Sequence, residues 1–184
     1  MGVRIDNANK MLLSIISELT TDDDIFRLMY YTGSDYQYED IYSLPIPKDN
    51  ELYEIDKTEE LYNKKVFTNK RVDSISYYAD VNLFVNLYNV VPTIHFYKES
   101  KHVKTFVFQI GIVCHKDVRQ TLNGFREVAL AYRIMEMLQD KELAGGIGKM
   151  ELTDMFPIYD VPTDYVAYSL KLEIDGVMNI DGFK

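Results

Sequence analysis

The glycine-rich segment at residues 145–149 is the first feature of the sequence that could do chemistry. Glycines placed before a lysine are typical of phosphate-binding loops, whose backbone N–H groups surround the phosphates of a nucleotide. The full pattern, however, needs a glycine where Leu143 stands and a serine or threonine where Met150 stands. The segment also follows a predicted helix, whereas a phosphate-binding loop precedes one. We therefore interpret it as a tight turn that ends the helix.

Cysteine and histidine side chains are too few and too scattered to predict a nucleophile or a metal site. Cys114 and His115 are neighbours on a predicted strand, where successive side chains point to opposite faces of the sheet. They therefore cannot bind one metal ion together or act as a nucleophile and its base. The three histidines, His95, His102 and His115, share no spacing that is typical of metal ligands. We expect no metal and no cofactor.

Paired carboxylates occur at three places, but none has the apolar surroundings that acid–base catalysis requires. The groups are Asp22 to Asp24, Glu39 with Asp40, and Glu59 with Glu60. Each lies in a polar stretch, where nothing raises a carboxyl pKa toward neutrality. We interpret the first group as the opening turn of a helix, capped by a capping box of Thr21 and Asp24. The sequence thus predicts no catalytic residue, and a protein that is not an enzyme.

Composition and charge narrow the remaining functions. With 184 residues, 47% of them hydrophobic and 27% charged, the chain has the size and composition of one globular domain, residues 1–184. Its single cysteine excludes an internal disulfide, and we expect neither a signal peptide nor a membrane span. The net charge is −9, and residues 35–60 carry nine acids against two bases. Such a segment repels phosphate backbones, so we expect no sequence-specific binding of nucleic acid.

The acidic segment is also rich in tyrosine, which indicates protein contacts. Its five tyrosines are Tyr36, Tyr38, Tyr42, Tyr53 and Tyr62. Amphipathic rings at this density suit a contact surface better than a flexible linker. We predict an interface with another protein that contains Tyr36, Tyr38, Glu39, Asp40, Tyr42 and Tyr53.

A second predicted contact surface is the helix at residues 125–141. Its apolar stripe is wider than one contact with a sheet needs. Arg126 and Arg133 lie seven residues apart, which is two helical turns, and so share one side of the helix. Because an arginine fork can bind a carboxylate through two hydrogen bonds, we expect this side to form salt bridges between subunits. The turn residues Gly145, Gly146 and Lys149 complete the predicted interface.

Hydrophobic periodicity predicts the elements that position these residues. Residues 1–32 form two helices, because apolar residues recur at helical spacing from Met11 to Leu19 and again from Ile25 to Met29. Residues 33–71 form an acidic, tyrosine-rich loop region with one short helix at residues 59–63. Residues 72–176 form a sheet–helix–sheet core, and residues 177–184 form a tail.

The predicted strands are residues 81–88, 93–97, 103–115, 149–155 and 165–174. Strict alternation makes the first a half-buried strand, which breaks at residues 88–92. Both faces of residues 103–115 are apolar, as in a central strand. The predicted fold class is α+β: a mainly antiparallel sheet with one long helix packed on it, N-terminal helices and a long acidic loop region.

This order of elements resembles the tail terminator proteins of long-tailed bacteriophages and, more loosely, other tail-completion and neck proteins. The resemblance is carried by the strand at 106–115, the helix at 125–141 with Tyr132-Arg133-Ile134, the turn at 145–149 that enters a strand, and the strand at 165–174. It covers residues 81–174 and the first helix. The acidic segment at residues 36–62 departs from the pattern.

The resemblance implies a structural protein of the virion, made in the host cytoplasm. Such proteins form a homo-oligomeric ring, usually of six copies, that caps the tail tube and joins it to the head connector. The implied partners are further copies of the chain, the tail-tube protein and the connector or neck proteins, with no membrane. The alternatives are another neck or head-completion protein, a small hydrolase that uses residues 145–149, and a binding module whose acidic loop mimics nucleic acid.

Overall fold

A computed structural model describes residues 7–49, 53–68, 80–93 and 103–177 of the chain. In these residues the chain forms a five-stranded, mostly antiparallel sheet with helices packed on it, which confirms the predicted α+β class. Some predicted features lie outside the described residues. They are most of the strand at 93–97, the side chains of His95 and His102, and the tail at 178–184.

Four α-helices and nine strands lie within the described residues. The helices are α1 (Asn7–Thr21), α2 (Asp23–Tyr30), α3 (Lys57–Leu61) and α4 (Arg126–Leu138), and 3₁₀ turns occur at Ser34–Tyr36, Ile41–Ser43 and Lys116–Val118. The strands are β1 (Lys48–Asp49), β2 (Tyr53–Glu54), β3 (Val66–Phe67), β4 (Val81–Pro92), β5 (Val103–His115), β6 (Gln120–Thr121), β7 (Gly124–Phe125), β8 (Gly146–Ile158) and β9 (Tyr165–Val177). α1, with 15 residues, is longer than α4, with 13.

The main sheet has the strand order β3-β4-β5-β9-β8. Neighbouring strands are antiparallel except β3 and β4, which are parallel. β5 spans the residues predicted for it and pairs with β9 without a break, from Val103 opposite Val177 to His115 opposite Tyr165. Because β4 and β9 flank it, the predicted central strand is confirmed. The pairs β1–β2 and β6–β7 form two small separate hairpins.

β4 differs from its prediction in two ways. It continues to Pro92, so the predicted break at residues 88–92 is wrong. A β-bulge between Leu87 and Asn89 absorbs the irregular register and lets the strand continue beside β5. Residues 81–85 are also buried on both faces, where the alternation predicted burial on one.

The two faces of the sheet are buried in different ways. One face packs with the helices in a large core that includes Phe108, Ile110 and Leu172. The other face carries a smaller cluster, which consists of Phe84, Val113 and Ala167 with Phe67, Ile158, Val161 and Tyr165 packed against it. On this second face the Gln109 side-chain amide donates a hydrogen bond to Ser169 Oγ at 2.7 Å. A buried face can therefore contain polar residues, provided that they bond to each other.

The boundary between α1 and α2 lies one residue from its predicted position. Thr21 is the last residue of α1, and its hydroxyl donates to Ser17 O at 2.8 Å. Asp22 is the N-cap of α2, and its carboxylate accepts from the N–H groups of Asp24 and Ile25 at 3.1 and 2.9 Å. The predicted capping box is therefore wrong, because Thr21 is still helical and the next carboxylate is in position to cap. The predicted acidic first turn is confirmed.

The acidic segment, predicted as an ordered loop region with one short helix, contains further regular structure. Ile41, Ile46 and Leu61 lie in the main core, and β3 pairs with β4. The Tyr31 hydroxyl donates to Pro45 O at 2.6 Å and so holds the segment against the end of α2. α3 begins and ends two residues before the short helix predicted at 59–63. Widely spaced apolar residues thus anchor this segment to the main core, although its charge pattern predicts a loop region.

α4 ends at Leu138, before the glycines. Its C-cap is Gln139, and the chain turns at Asp140, which has a φ of 61°. Aspartate adopts this left-handed region more readily than most residues, because its short polar side chain can bond locally. The prediction that residues 144–148 end the helix is therefore wrong. Gly145, with a φ of 92°, instead forms the turn that leads into β8, which begins three residues earlier than predicted.

Replacing Gly176 in β9 with alanine should destabilise the fold by about 1–3 kcal/mol. The added Cβ would lie 2.9 Å from Met11 Cε and 2.9 Å from Phe106 Cε2, so packed side chains would have to move. The free energy of unfolding in urea measures this cost. Gly33→Ala is the matched control, since its Cβ would meet Tyr36 ring atoms at an ordinary 3.6 Å. Equal stability of the two variants would contradict this packing.

Candidate functional site

A shallow concavity lies along the outer side of α4 and is open to solvent. Its walls come from α4, from the β6–β7 hairpin and from the 3₁₀ turn at Ile41–Ser43. The residues that give it its character are Tyr42, Phe125, Val128, Ala129, Tyr132 and Arg133. We call this surface the α4 concavity.

The apolar residues of α4 lie on two faces of the helix. This explains why its apolar stripe is wider than one contact with a sheet needs. Leu130, Ile134 and Leu138 are buried in the main core. A second set of side chains has the spacing of three, four and seven residues that places them on one helix face: Phe125, Val128, Ala129 and Tyr132. This face lines the concavity. The second face therefore remains in contact with water.

Two rings on this second face are strongly exposed. Tyr132 is 65% exposed and Phe125 is 50% exposed. The Arg119 guanidinium carbon lies 4.0 Å from the centroid of the Phe125 ring, which is a cation–π contact. Arg119 Nε also donates to Glu127 Oε1 at 2.5 Å. The Phe125 ring is thus held in place although it is open to solvent.

Tyr42 brings the acidic segment to the same surface. The Asp40 carboxylate accepts from the Tyr42 N–H at 3.2 Å and caps the 3₁₀ turn that carries this tyrosine. Burial raises the pKa of the Tyr42 hydroxyl, and the nearby Asp24 carboxylate raises it further. The two surfaces predicted separately from the sequence, the tyrosine-rich segment and the helix, therefore meet at the α4 concavity.

The other tyrosines of the acidic segment lie in different surroundings. Tyr36 packs edge-on against Tyr31, with ring centroids 4.9 Å apart, and Tyr62 packs against the main core. Tyr38 and Tyr53 are exposed, and so is Glu39. The structure thus gives Tyr36 and Tyr62 a packing role, whereas the interface predicted for the exposed residues stays a prediction.

Arg126 does not lie on the surface where the sequence predicts it. Its side chain is fully buried, with 0% exposure. Its guanidinium donates to Val118 O at 2.8 Å, to Leu28 O at 2.6 Å and to Tyr31 O at 3.0 Å. The prediction that Arg126 forms a salt bridge between subunits is therefore wrong, because all three of its side-chain bonds lie within the chain. The heptad spacing from Arg133 is real, but Arg126 is the first residue of α4 and turns into the core.

Arg133 is half-buried and pairs within the chain. Its Nε and Nη2 donate to the two carboxylate oxygens of Asp22 at 3.2 and 2.7 Å, and Nη1 donates to Glu136 Oε2 at 2.8 Å. The bond with Asp22 raises the pKa of Arg133. Burial raises the pKa of the Asp22 carboxyl, but the bonds from Arg133 and from the Ile25 N–H outweigh it, so the net pKa is lowered. The two-bond fork is formed, and it joins α4 to α2.

Gly145, Gly146 and Lys149 lie at the start of β8 and not in the α4 concavity. A Cβ on Gly145 would lie 3.0 Å from Asn7 O of α1, and one on Gly146 would lie 2.5 Å from Ile174 Cδ1. Close packing therefore explains both glycines. Lys149 is exposed, and the chain continues as a strand to Ile158, so no helix N-terminus follows to receive a phosphate.

Cys114 lies in the main core. Burial raises the pKa of its thiol to about 12, so it stays protonated and is not a nucleophile at neutral pH. Across residues 7–49, 53–68, 80–93 and 103–177, histidine, cysteine and carboxylate side chains form no group of three or more that could hold a metal ion. No helix in this part of the chain has the length and apolarity to cross a membrane.

Two exposed apolar residues escape the sequence reasoning. Leu122 is 65% exposed in the β6–β7 hairpin, and Tyr159 is 88% exposed where the chain leaves β8. Asn123-Gly124 is a typical signal for a tight hairpin, and a leucine beside it has no core to enter. For Tyr159 the signal is its position among Pro157, Asp160 and neighbouring turn residues.

The sequence matches the model of the YomW family over residues 22–174. The match covers most of the chain, which therefore belongs to this family of phage-region proteins, of the Bacillus SPbeta/PBSX-like type. The matched residues include α2, α4 and the whole α4 concavity. No curated protein matches the sequence significantly. The predicted phage origin is thus confirmed at the level of the family, whereas the role of tail terminator stays a prediction.

Arg126→Met should lower the free energy of unfolding by about 3 kcal/mol or more, because three buried carbonyls lose their donor. Arg133→Gln is the matched control on the same helix. The Arg133 side chain is 29% exposed, so the loss of its ion pairs should cost about 1 kcal/mol or less. Urea unfolding of both variants measures the difference. Similar costs for the two variants would contradict the distinct roles assigned to the two arginines.

Asp22→Asn should flatten the acid dependence of stability. The folded Asp22 pKa lies below its ordinary 3.8, so its ion pair stabilises the fold above that value and is lost as the pH falls through the folded pKa. Asparagine still caps a helix, which leaves the ion pair as the main loss, about 1 kcal/mol. Unfolding at pH 6 and at pH 2.5 measures the effect: the variant should be less stable than the parent at pH 6, and this deficit should be smaller at pH 2.5. An equal deficit at both values would contradict the lowered pKa.

Proposed function

We propose that this member of the YomW family is a non-enzymatic structural protein of the virion that forms a homo-oligomeric ring where the tail meets the head, in the manner of a phage tail terminator. It is made in the host cytoplasm and assembles into the particle. The observation that carries the proposal is the α4 concavity, an aromatic surface held in place and left in contact with water.

The chemistry of the α4 concavity suits contact with another protein. Tyrosine, phenylalanine and arginine are enriched at interfaces, and they contribute most when they lie near the centre of the contact. Tyr132, Phe125 and Tyr42 supply the rings, and Arg119 and Arg133 supply the arginines. A surface that groups three aromatic rings with arginines has the composition typical of the centre of a protein interface. We infer that further copies of the chain cover this surface in the ring.

The charge of the acidic segment supports proteins, and not nucleic acid, as the other partners. Residues 35–60 hold nine acids and two bases, and within them Tyr38 and Glu39 are exposed. By the resemblance to tail terminators, the partners are the tail-tube protein on one side and the connector or neck proteins on the other. The six copies usual in that family are the expected ring size.

A hydrolase that uses residues 145–149 is the main rival. Its geometry is disfavoured, because these residues open a strand, and Gly145 and Gly146 pack against α1 and β9. A nucleotide or divalent cation that bound the native chain would raise its melting temperature in proportion to the logarithm of ligand concentration. We expect no such rise in melting temperature with ATP, GTP, Mg²⁺ or Mn²⁺.

Native mass spectrometry of the chain, alone and mixed with tail-tube protein, should show a closed oligomer. Tyr132→Asp should reduce the oligomer by about tenfold or more at equal concentration, because it places a charge at the centre of an apolar contact. Leu13→Asp is the matched control, since Leu13 is 50% exposed on α1 and outside the concavity. A strict monomer under both conditions would remove the ring from consideration. Equal loss in both variants would remove the α4 concavity as its interface.

A further inference from the structure

We propose that the connection between β8 and β9 binds an extended segment of another protein through an arginine side chain of that segment. The connection and the strand ends beside it form an open groove. The side chains that give the groove its character are Pro157, Tyr159, Val161, Pro162, Tyr165 and Tyr168. We call this surface the β8–β9 groove. The inference does not depend on the proposed ring, because the groove and the α4 concavity share no lining residue.

Aromatic rings and prolines line the β8–β9 groove. Tyr159 is 88% exposed, the highest value among the large hydrophobic side chains described. Pro157 and Pro162 are exposed as well. Grooves with aromatic walls receive extended, polyproline-like segments, which have little conformational freedom to lose on binding. The face of a tyrosine ring also attracts a guanidinium, which is planar and weakly hydrated.

Contacts at its base hold the groove in shape. The Lys116 N–H donates to Asp164 O at 2.8 Å, and the Tyr165 N–H donates to Pro162 O at 2.9 Å. Val161 and Tyr165 also pack against the smaller apolar cluster on the second face of the sheet. A surface that is ordered before it binds gives up less conformational freedom in the complex.

The charge of the β8–β9 groove favours a cationic partner. Residues 159–164 contain two acids, Asp160 and Asp164, and no base. Both acids are exposed, and neither forms an ion pair with any residue that the structure describes. Lys116, a base beside the groove, directs its Nζ to Thr163 O instead. The two carboxylates are therefore available to a cation of the partner.

The Tyr165 hydroxyl lies in the same negative field. Burial raises its pKa, and the carboxylates of Asp164 and Asp80 raise it further. Both charges that shift this pKa are acidic, so the field at the groove favours a positive group. An arginine suits the groove better than a lysine does, because its planar fork stacks on a ring and binds a carboxylate at the same time.

Binding of a synthetic peptide to the full chain tests this inference. The probe is the peptide Ala-Pro-Pro-Arg-Pro-Pro-Ala, whose prolines keep it extended. We expect it to shift the NMR signals of residues 157–168 and to bind more weakly at high salt. A peptide with glutamine in place of the arginine should bind about fivefold or more weakly, because it lacks the charge that the rings and carboxylates attract. Fluorescence anisotropy of the labelled peptides measures the two affinities.

A tyrosine variant tests the role of the most exposed ring. Tyr159→Ala should weaken binding of the arginine peptide by about tenfold, since it removes the largest exposed contact of the groove. Tyr53→Ala, at another strongly exposed tyrosine, is the matched control and should leave the affinity unchanged.

A charge variant tests the role of the two acids. Asp160→Asn combined with Asp164→Asn should weaken binding by about threefold or more and reduce its dependence on salt. Asp35→Asn combined with Glu39→Gln is the matched control, because it removes the same net charge from exposed positions of the acidic segment. Urea unfolding checks that each variant keeps the stability of the parent.

Several results would overturn the inference. They are the absence of peptide binding, equal binding of the arginine and glutamine peptides, signal shifts confined to residues outside 157–168, and equal affinities in Tyr159→Ala and Tyr53→Ala. If the peptide does not bind and Tyr159→Ala instead weakens self-association, the groove is a contact between copies of the chain. The Tyr132→Asp measurement tests the ring separately, so failure of the peptide to bind leaves the α4 concavity as a candidate interface.

Discussion

One buried guanidinium holds together two distant parts of the chain. Arg126 donates to Leu28 O and Tyr31 O at the end of α2 and to Val118 O after β5. Carbonyls in the last turn of a helix have no partner within the helix and carry a partial negative charge, so a cation is the donor that suits them. Burial lowers the pKa of Arg126, but an arginine remains charged in a protein. Its charge therefore requires all three carbonyls to stay where they are.

The position of the exposed aromatic surface follows from this buried charge. Arg126 fixes the first turn of α4, and seven residues later Arg133 ties the second turn to the Asp22 cap of α2. Between these two anchors the helix cannot rotate about its axis. Its inner stripe must face the core, and Val128 and Tyr132 must face outward. The two arginines thus position the exposed aromatic surface of α4 through bonds within the chain.

The sequence predicted the elements whose periodicity is undisturbed and failed where one local interaction overrides the pattern. β5 was predictable to the residue because both of its faces are apolar for its whole length. The continuation of β4 through residues 88–92 was not predictable, because a bulge adds one residue to a strand without any change in composition. Heptad spacing placed Arg126 and Arg133 on one side of the helix, but spacing carries no information on how deeply a side chain is buried. Only the carbonyls of α2 explain why Arg126 is buried. The α4 concavity joins residues 42 and 132, a proximity that no local pattern contains.

The edges of the sheet give a reason why association should use side chains and not strand pairing. β3, at one edge, is only two residues long. At the other edge, β8 is covered in its first half: Met150 exchanges backbone hydrogen bonds with residues 140 and 141, and Gln139 Oε1 accepts from the Leu152 N–H, each at 2.8 Å. Further along, register shifts bend the strand and Pro157 has no N–H to donate. Such devices prevent sheets from pairing edge to edge without selectivity. Because β8 is protected in this way, the proposed ring would use exposed side chains such as those of the α4 concavity, which must match a partner surface in shape and charge.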